Sequence, residues 1–164
     1  MNRRSFLAAS MAALAAVLLS ACGFRLRGTG SMPSLPPLTL EGDTQSDMAR
    51  ELATRLERQG NTGAGSAEWR VTLGSPRLDE RRLGGEGRGS RDHDLTLSTT
   101  ISVQRLDDNA YLLNGETLSV NTRIRVNDDD LLNRETVFSE AEQTLNRELA
   151  ERIIERLSAL NNAS

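Results

Sequence analysis

The stretch Leu95-Thr96-Leu97-Ser98-Thr99-Thr100-Ile101-Ser102-Val103 alternates between residues suited to a core and residues suited to water. Successive side chains of a strand point to opposite faces, so Leu95, Leu97, Thr99, Ile101 and Val103 share one side of a predicted strand. Asp107-Asp108-Asn109 marks a turn, and a second alternation follows with Leu118, Val120, Thr122, Ile124 and Val126 on one face. Both strands read as half-exposed and antiparallel, which defines a sheet with one dry side.

A dry face must be covered, and the C-terminal sequence supplies the cover. Ala141, Leu145, Leu149, Ile153, Leu157 and Leu160 form an apolar helical stripe with Ile154 at its edge. Ser139 and Glu142 have the spacing of a capping box, so the helix is expected over 139–160, about 33 Å long. Upstream, Leu38-Thr39-Leu40 reads as a short strand ended by Gly42. A second helix follows, capped by either Asp43 or Ser46, with Met48, Leu52 and Leu56 on one face beside Ala49 and Ala53, and stopped at Gly60. Trp69-Arg70-Val71-Thr72-Leu73 alternates as another strand. From Pro76 to Arg91 the chain has five arginines, three acids and four glycines, which predicts a mobile hairpin or loop whose early part could extend the preceding strand. The fold class is α+β, a small mainly antiparallel sheet with two helices packed on one face. Residues 38–160 are expected to form this single domain, and 161–164 a short tail.

The N-terminus has a different character. Arg3 and Arg4 precede an apolar run from Phe6 to Leu19, and Leu19-Ser20-Ala21 leads into Cys22, the only cysteine. This pattern predicts a lipoprotein signal peptide over 1–21, with the Cys22 sulfur receiving diacylglycerol and its amino group an acyl chain. The 16 residues Phe6–Ala21 fall short of the ~20 that a spanning helix requires. Residues 22–37 then form a lipidated N-terminus and extended connector. Asn2-Arg3-Arg4-Ser5-Phe6-Leu7 suits either the twin-arginine or the general export route. Gly23 after the cysteine favours the outer membrane, so the expected location is its periplasmic face, lipid-anchored. With Arg3 and Arg4 removed, 18 arginines face 23 acidic side chains, a net charge of −5. Address and charge together disfavour a nucleic-acid partner. A lone cysteine allows no intrachain disulfide.

Chemistry-bearing motifs are few. His93 is the single histidine, and Asp92-His93-Asp94 reads as a solvated entry to the strand at Leu95. Asp128-Asp129-Asp130 lacks the alternating ligands, central glycine and distal glutamate of a calcium loop, and reads as a charged turn. Gly84-Gly85-Glu86-Gly87-Arg88-Gly89 lacks the lysine and hydroxyl ending of a phosphate loop. No catalytic residue, metal site or cofactor is expected, and the chain is not read as an enzyme. The arginines support two readings. Arg77, Arg81, Arg82, Arg88 and Arg91 could form a cationic patch for a phosphorylated glycolipid, and Arg123 and Arg125 lie opposite Ile124, on the exposed side of their strand. Alternatively they serve solubility, since Asp79, Glu80 and Glu86 dilute the first group.

Cys22-Gly23-Phe24-Arg25-Leu26-Arg27-Gly28 resembles the opening of the mature domain in the LPS-assembly lipoprotein family, LptE. The resemblance extends through nearly all of 22–160 in element order, although the stretch before Ser139 looks shorter than in many members. It implies a small sheet covered by two helices, lipidation at Cys22, and a place within the lumen of an LptD-type outer-membrane β-barrel. It further implies a role in assembling that barrel and inserting lipopolysaccharide, which members are reported to bind. Two readings stand beside it: a periplasmic lipid- or lipopolysaccharide-binding module acting without a barrel, and a structural lipoprotein of another envelope complex.

Overall fold

Strand β4, Ser90–Arg105, is the spine of the sheet. On one side it pairs antiparallel with β5, Tyr111–Asn127, across a turn where Asn109 adopts a positive φ. On its other side two strands follow one another, β2 (Trp69–Leu73) against Ile101–Arg105 and β3 (Arg77–Leu83) against Asp92–Ser98. Strand β1, Leu38–Gly42, adds parallel to β2. These elements belong to a computed structural model that describes residues 35–62, 67–84, 89–127 and 130–163. The leader, Cys22, most of the connector, Arg88 and the first two aspartates of Asp128-Asp129-Asp130 lie outside the described residues.

The alternation fixes which face is dry. Directly opposite residues of an antiparallel pair share a face, so the register carries Val71, Val103 and Leu113 into one row and Leu97 and Val120 into another. Two helices cover this face. Helix α1, Asp47–Arg58, buries Met48, Ala49, Leu52 and Leu56. Ser46 caps its start, its hydroxyl accepting from the Ala49 amide, while Asp43 accepts from the Ser46 amide. At its end Gly60 takes a positive φ, and the amides of Gly60 and Asn61 return to the carbonyls of Glu57 and Leu56. That is a Schellman stop, and it satisfies the carbonyls of Leu56 and Glu57 at the end of the helix. Helix α2, Leu131–Asn161, buries the expected stripe from Ala141 to Leu157, with Leu160 partly covered. Arg55 reaches Glu151 at 3.8 Å between the helices.

The architecture is the expected α+β sandwich. Three local expectations change or are narrowed. Helix α2 starts eight residues before Ser139, because the Asp130 carboxylate caps it by accepting from the Asn133 amide. Of the hairpin and loop readings of Pro76–Arg91 the hairpin holds, 77–83 being a strand paired antiparallel with Asp92–Ser98; every residue but Leu83 is exposed, since it lies at the sheet edge beyond full helix cover. His93 is fully buried rather than solvated, because β4 begins at Ser90 and already faces the helices at this position.

Candidate functional site

The face of the sheet that no helix covers carries the candidate site. Its central part is built from hydroxyls and amides: Thr100 stands opposite Thr117, Ser98 opposite Ser119 and Thr96 opposite Asn121. Toward the end where β3, β4 and β5 lie side by side, charge replaces hydroxyl. The register sets Arg81, Asp94 and Arg123 in one row across three strands, and Leu83, Asp92 and Arg125 in the row beyond. Arg77 and Asp79 continue the array along β3, with the Arg77 Nε donating to Asp79 at 3.1 Å.

Arg123 forks onto Asp94, its Nε donating to Oδ1 at 2.7 Å and its Nη2 to Oδ2 at 3.4 Å. This bond, assisted by the charges of Arg123 and Arg81, holds the Asp94 carboxyl below its ordinary range. The same bond, with the charges of Asp94 and Asp92, raises the Arg123 guanidinium. Arg125 forms no ion pair among the described residues, so its fork remains available to an anion.

The pleat divides the arginines that the sequence grouped by proximity. Arg77, Arg81, Arg123 and Arg125 share the uncovered face. Arg82 stands opposite His93 and Arg91 opposite Val126, so both belong to the helix-covered side. Arg88 and Cys22 lie outside the described residues.

On the helix side, a second polar arrangement had no distinct sequence signal. His93 Nδ1 lies 2.6 Å from the Glu80 carboxylate, which accepts its proton, and Nε2 has no hydrogen-bond partner among the described residues. Phe138 meets the imidazole edge-on at 5.4 Å, and Arg134 stacks on Phe138. Beside them a cavity of about 420 Å³ is lined by Glu80, Arg134, Glu135, Phe138, Ser139 and Glu142. Five polar linings to one aromatic make a wet cleft, unlike the apolar wall an acyl chain requires. Among the described residues no three His, Cys, Asp or Glu side chains are placed to hold a metal ion, and no helix is long and apolar enough to cross a membrane.

This architecture, a mixed sheet covered on one face by two helices, is the fold of small bacterial lipoproteins. The chain is similar in structure to lipoprotein B of Nitrosomonas europaea, with a TM-score of 0.66 at 15% identity over 86% of this chain and 94% of that one. It is also similar to a minor lipoprotein of Acinetobacter baumannii, with a TM-score of 0.62 at 16% identity, covering 77% of this chain and 92% of that one. Rare lipoprotein B of Shewanella oneidensis aligns with a TM-score of 0.57 at 14% identity, covering 77% and 97%. The likeness is one of fold, and the described residues carry no catalytic motif. No protein-family model and no curated protein sequence matches the chain.

Proposed function

We propose that this chain is an outer-membrane lipoprotein, acylated at Cys22 and held at the periplasmic face, that seats in the polar lumen of an LptD-type β-barrel. In that position it supports barrel assembly and the insertion of lipopolysaccharide into the outer leaflet. The observation that carries this reading is the uncovered sheet face, where hydroxyls and amides give way to the arginine rows of β3 and β5. Barrel interiors are polar and are often plugged by protein, so a hydrophilic wall of this kind suits one. The apolar side of the sheet is already occupied by α1 and α2, which favours a plug over an independent lipid carrier. Arg125, with Arg123, Arg81 and Arg77 on the same face, is the anionic-lipid contact in this reading; Arg82, Arg88 and Arg91 are not required by it.

Crosslinking from the sheet face in intact outer membranes, followed by mass spectrometry, tests the partner. Recovery of one large β-barrel protein is expected; efficient crosslinking without a barrel would discard the plug. Lipid contact is tested separately by lipopolysaccharide binding to purified protein. Reversal of Arg125 to Glu, alone and with Arg123→Glu, is expected to weaken binding, and unchanged binding would remove the arginine face from the mechanism.

A further inference from the structure

Asp94 lies at the centre of the arginines on the uncovered face. It stands directly opposite Arg81 on one neighbouring strand and Arg123 on the other. Arg125 is two positions beyond Arg123 on the same face of β5, ~7 Å along the strand. Of these three arginines Arg123 alone is held by a fork, both of its bonds going to the two oxygens of Asp94. Arg81 acts on the same carboxylate through its charge, and Arg125 forms no ion pair among the described residues. The Asp94 side chain is 24% exposed and that of Arg123 63%, so the pair is open to exchange with an anion from outside. Two-point contact with a pair of oxygens is also the way a guanidinium holds phosphate. Asp94 therefore occupies, with the chain's own oxygens, the place on Arg123 that an incoming anion would take. Among the described residues this end of the face sets Arg77, Arg81, Arg123 and Arg125 against Asp79, Asp92 and Asp94. Its charge is nearly balanced, so contact with a freed fork, rather than long-range attraction, must supply the binding.

We propose that Asp94 is an internal competitor for this face, holding the Arg123 fork until a phosphate group of the ligand displaces it. Asp94 thereby sets what can bind, because an incoming anion must hold Arg123 better than the carboxylate does. A carboxylate from outside exchanges like for like, one charge and two oxygens for the same, and gains nothing on Arg123. A phosphate monoester brings about two charges and three acceptor oxygens, so Arg123 and Arg125 can hold it together. The displaced carboxylate is not left without compensation, since Arg81 stands opposite it on β3. Arg125 is the first point of contact and Arg123 the second, released from Asp94 as the phosphate arrives. The inference rests on the reading of these arginines as a lipopolysaccharide contact and goes beyond it by naming the group that the ligand replaces.

The test measures lipopolysaccharide binding to the purified full chain at low ionic strength, for wild type, Asp94→Asn, Arg123→Gln and the double variant. Asp94→Asn keeps the size of the side chain and removes its charge. It is expected to tighten binding about two- to fivefold, the scale of an exposed ion pair. Most of that gain should vanish in the Arg123→Gln background, because Asp94 acts through the fork it holds. Dephosphorylated lipopolysaccharide is expected to bind the wild-type chain more weakly than the intact form. Unchanged or weaker binding by Asp94→Asn overturns the proposal. So does an equal gain with and without Arg123, which would mean a general effect of charge, or equal binding of the two forms of lipopolysaccharide. Arg125→Glu in the same assay keeps the two readings apart. If it leaves binding unchanged, the arginine face itself falls; if it weakens binding while Asp94→Asn changes nothing, Asp94 alone is removed.

Discussion

Arg156 grips Glu116 through two hydrogen bonds of 2.8 Å each, tying the last turns of α2 to the middle of β5. Both side chains are about one-third exposed, so the bond belongs to the rim of the core rather than its centre. The guanidinium fork is the leading reason that the Glu116 carboxyl lies below its ordinary range.

That depression fixes the sign of a pH effect. A carboxylate whose folded pKa is lowered stabilises the fold above its unfolded value, about 4.3, and the contribution is lost as pH falls through the lower folded value. Arg156→Ala is expected to cost about 0.5–1 kcal/mol at neutral pH, in line with a partly exposed ion pair. The gap from wild type should close in acid, below the folded value. Urea unfolding of both chains at pH 7 and in acid checks this; a gap independent of pH would assign the cost to lost packing of the arginine stem.

The start of α2 gives a second expectation. Asp130, not Ser139, accepts the amide proton of the first turn. Asp130→Ala should therefore cost about 1 kcal/mol, while Ser139→Ala, an exposed position inside the helix, should stay within about 0.5 kcal/mol. The reverse order in chemical denaturation would restore the later helix start.

Gly42 closes β1 with φ of +84°, and a Cβ there would run into the Leu73 carbonyl of the neighbouring strand. Backbone cannot step aside as a side chain can. Gly42→Ala is expected to destabilise the domain by about 2 kcal/mol or more, whereas Gly60→Ala, with positive φ but open space around it, should cost about 1 kcal/mol. Comparable thermal shifts for the two would mean that the close approach adds nothing.

His93 and Glu80 separate packing from hydrogen bonding. His93→Ala removes a fully buried ring that Phe138 packs against, with an expected loss of about 2–4 kcal/mol. Glu80→Gln keeps an acceptor for Nδ1 and gives up only the charge, so its cost should stay below about 1 kcal/mol. Equal losses for the two variants would place the stability in the ionic pair.

Much of this fold is legible in the chain because β4 alternates over Leu95–Val103 and β5 over Leu118–Val126, and because α1 carries its own start and stop signals. The strand at 77–83 is legible only as one of two readings, hairpin or loop, for a physical reason. An edge strand partly beyond the helices has little need of apolar residues on either side, and Arg-Leu-Asp-Glu-Arg-Arg-Leu therefore lacks the period that announces a strand. The first turns of α2 escaped for a similar reason, since only Phe138 and its neighbours touch the core there, and Ser139 with Glu142 mimics a cap. At the candidate site the arginines themselves were evident, but their division between two faces was not. Strand parity settles it, and Arg81 and Arg82 could be assigned only once β3 was known to be a strand with a fixed partner on β4.

The buried Asn61 side chain holds the carbonyl of Leu35, and the backbone carbonyl of Asn61 takes the amide of Leu38. Leu35 is therefore fixed to the domain, thirteen positions beyond Cys22. Whatever path those residues follow, they reach no farther than about 45 Å. If the sulfur is acylated, that length is the greatest distance at which Leu35 can lie from the anchored cysteine, and the domain cannot leave the membrane that carries it. Any partner of the uncovered sheet face must then be met close to that membrane.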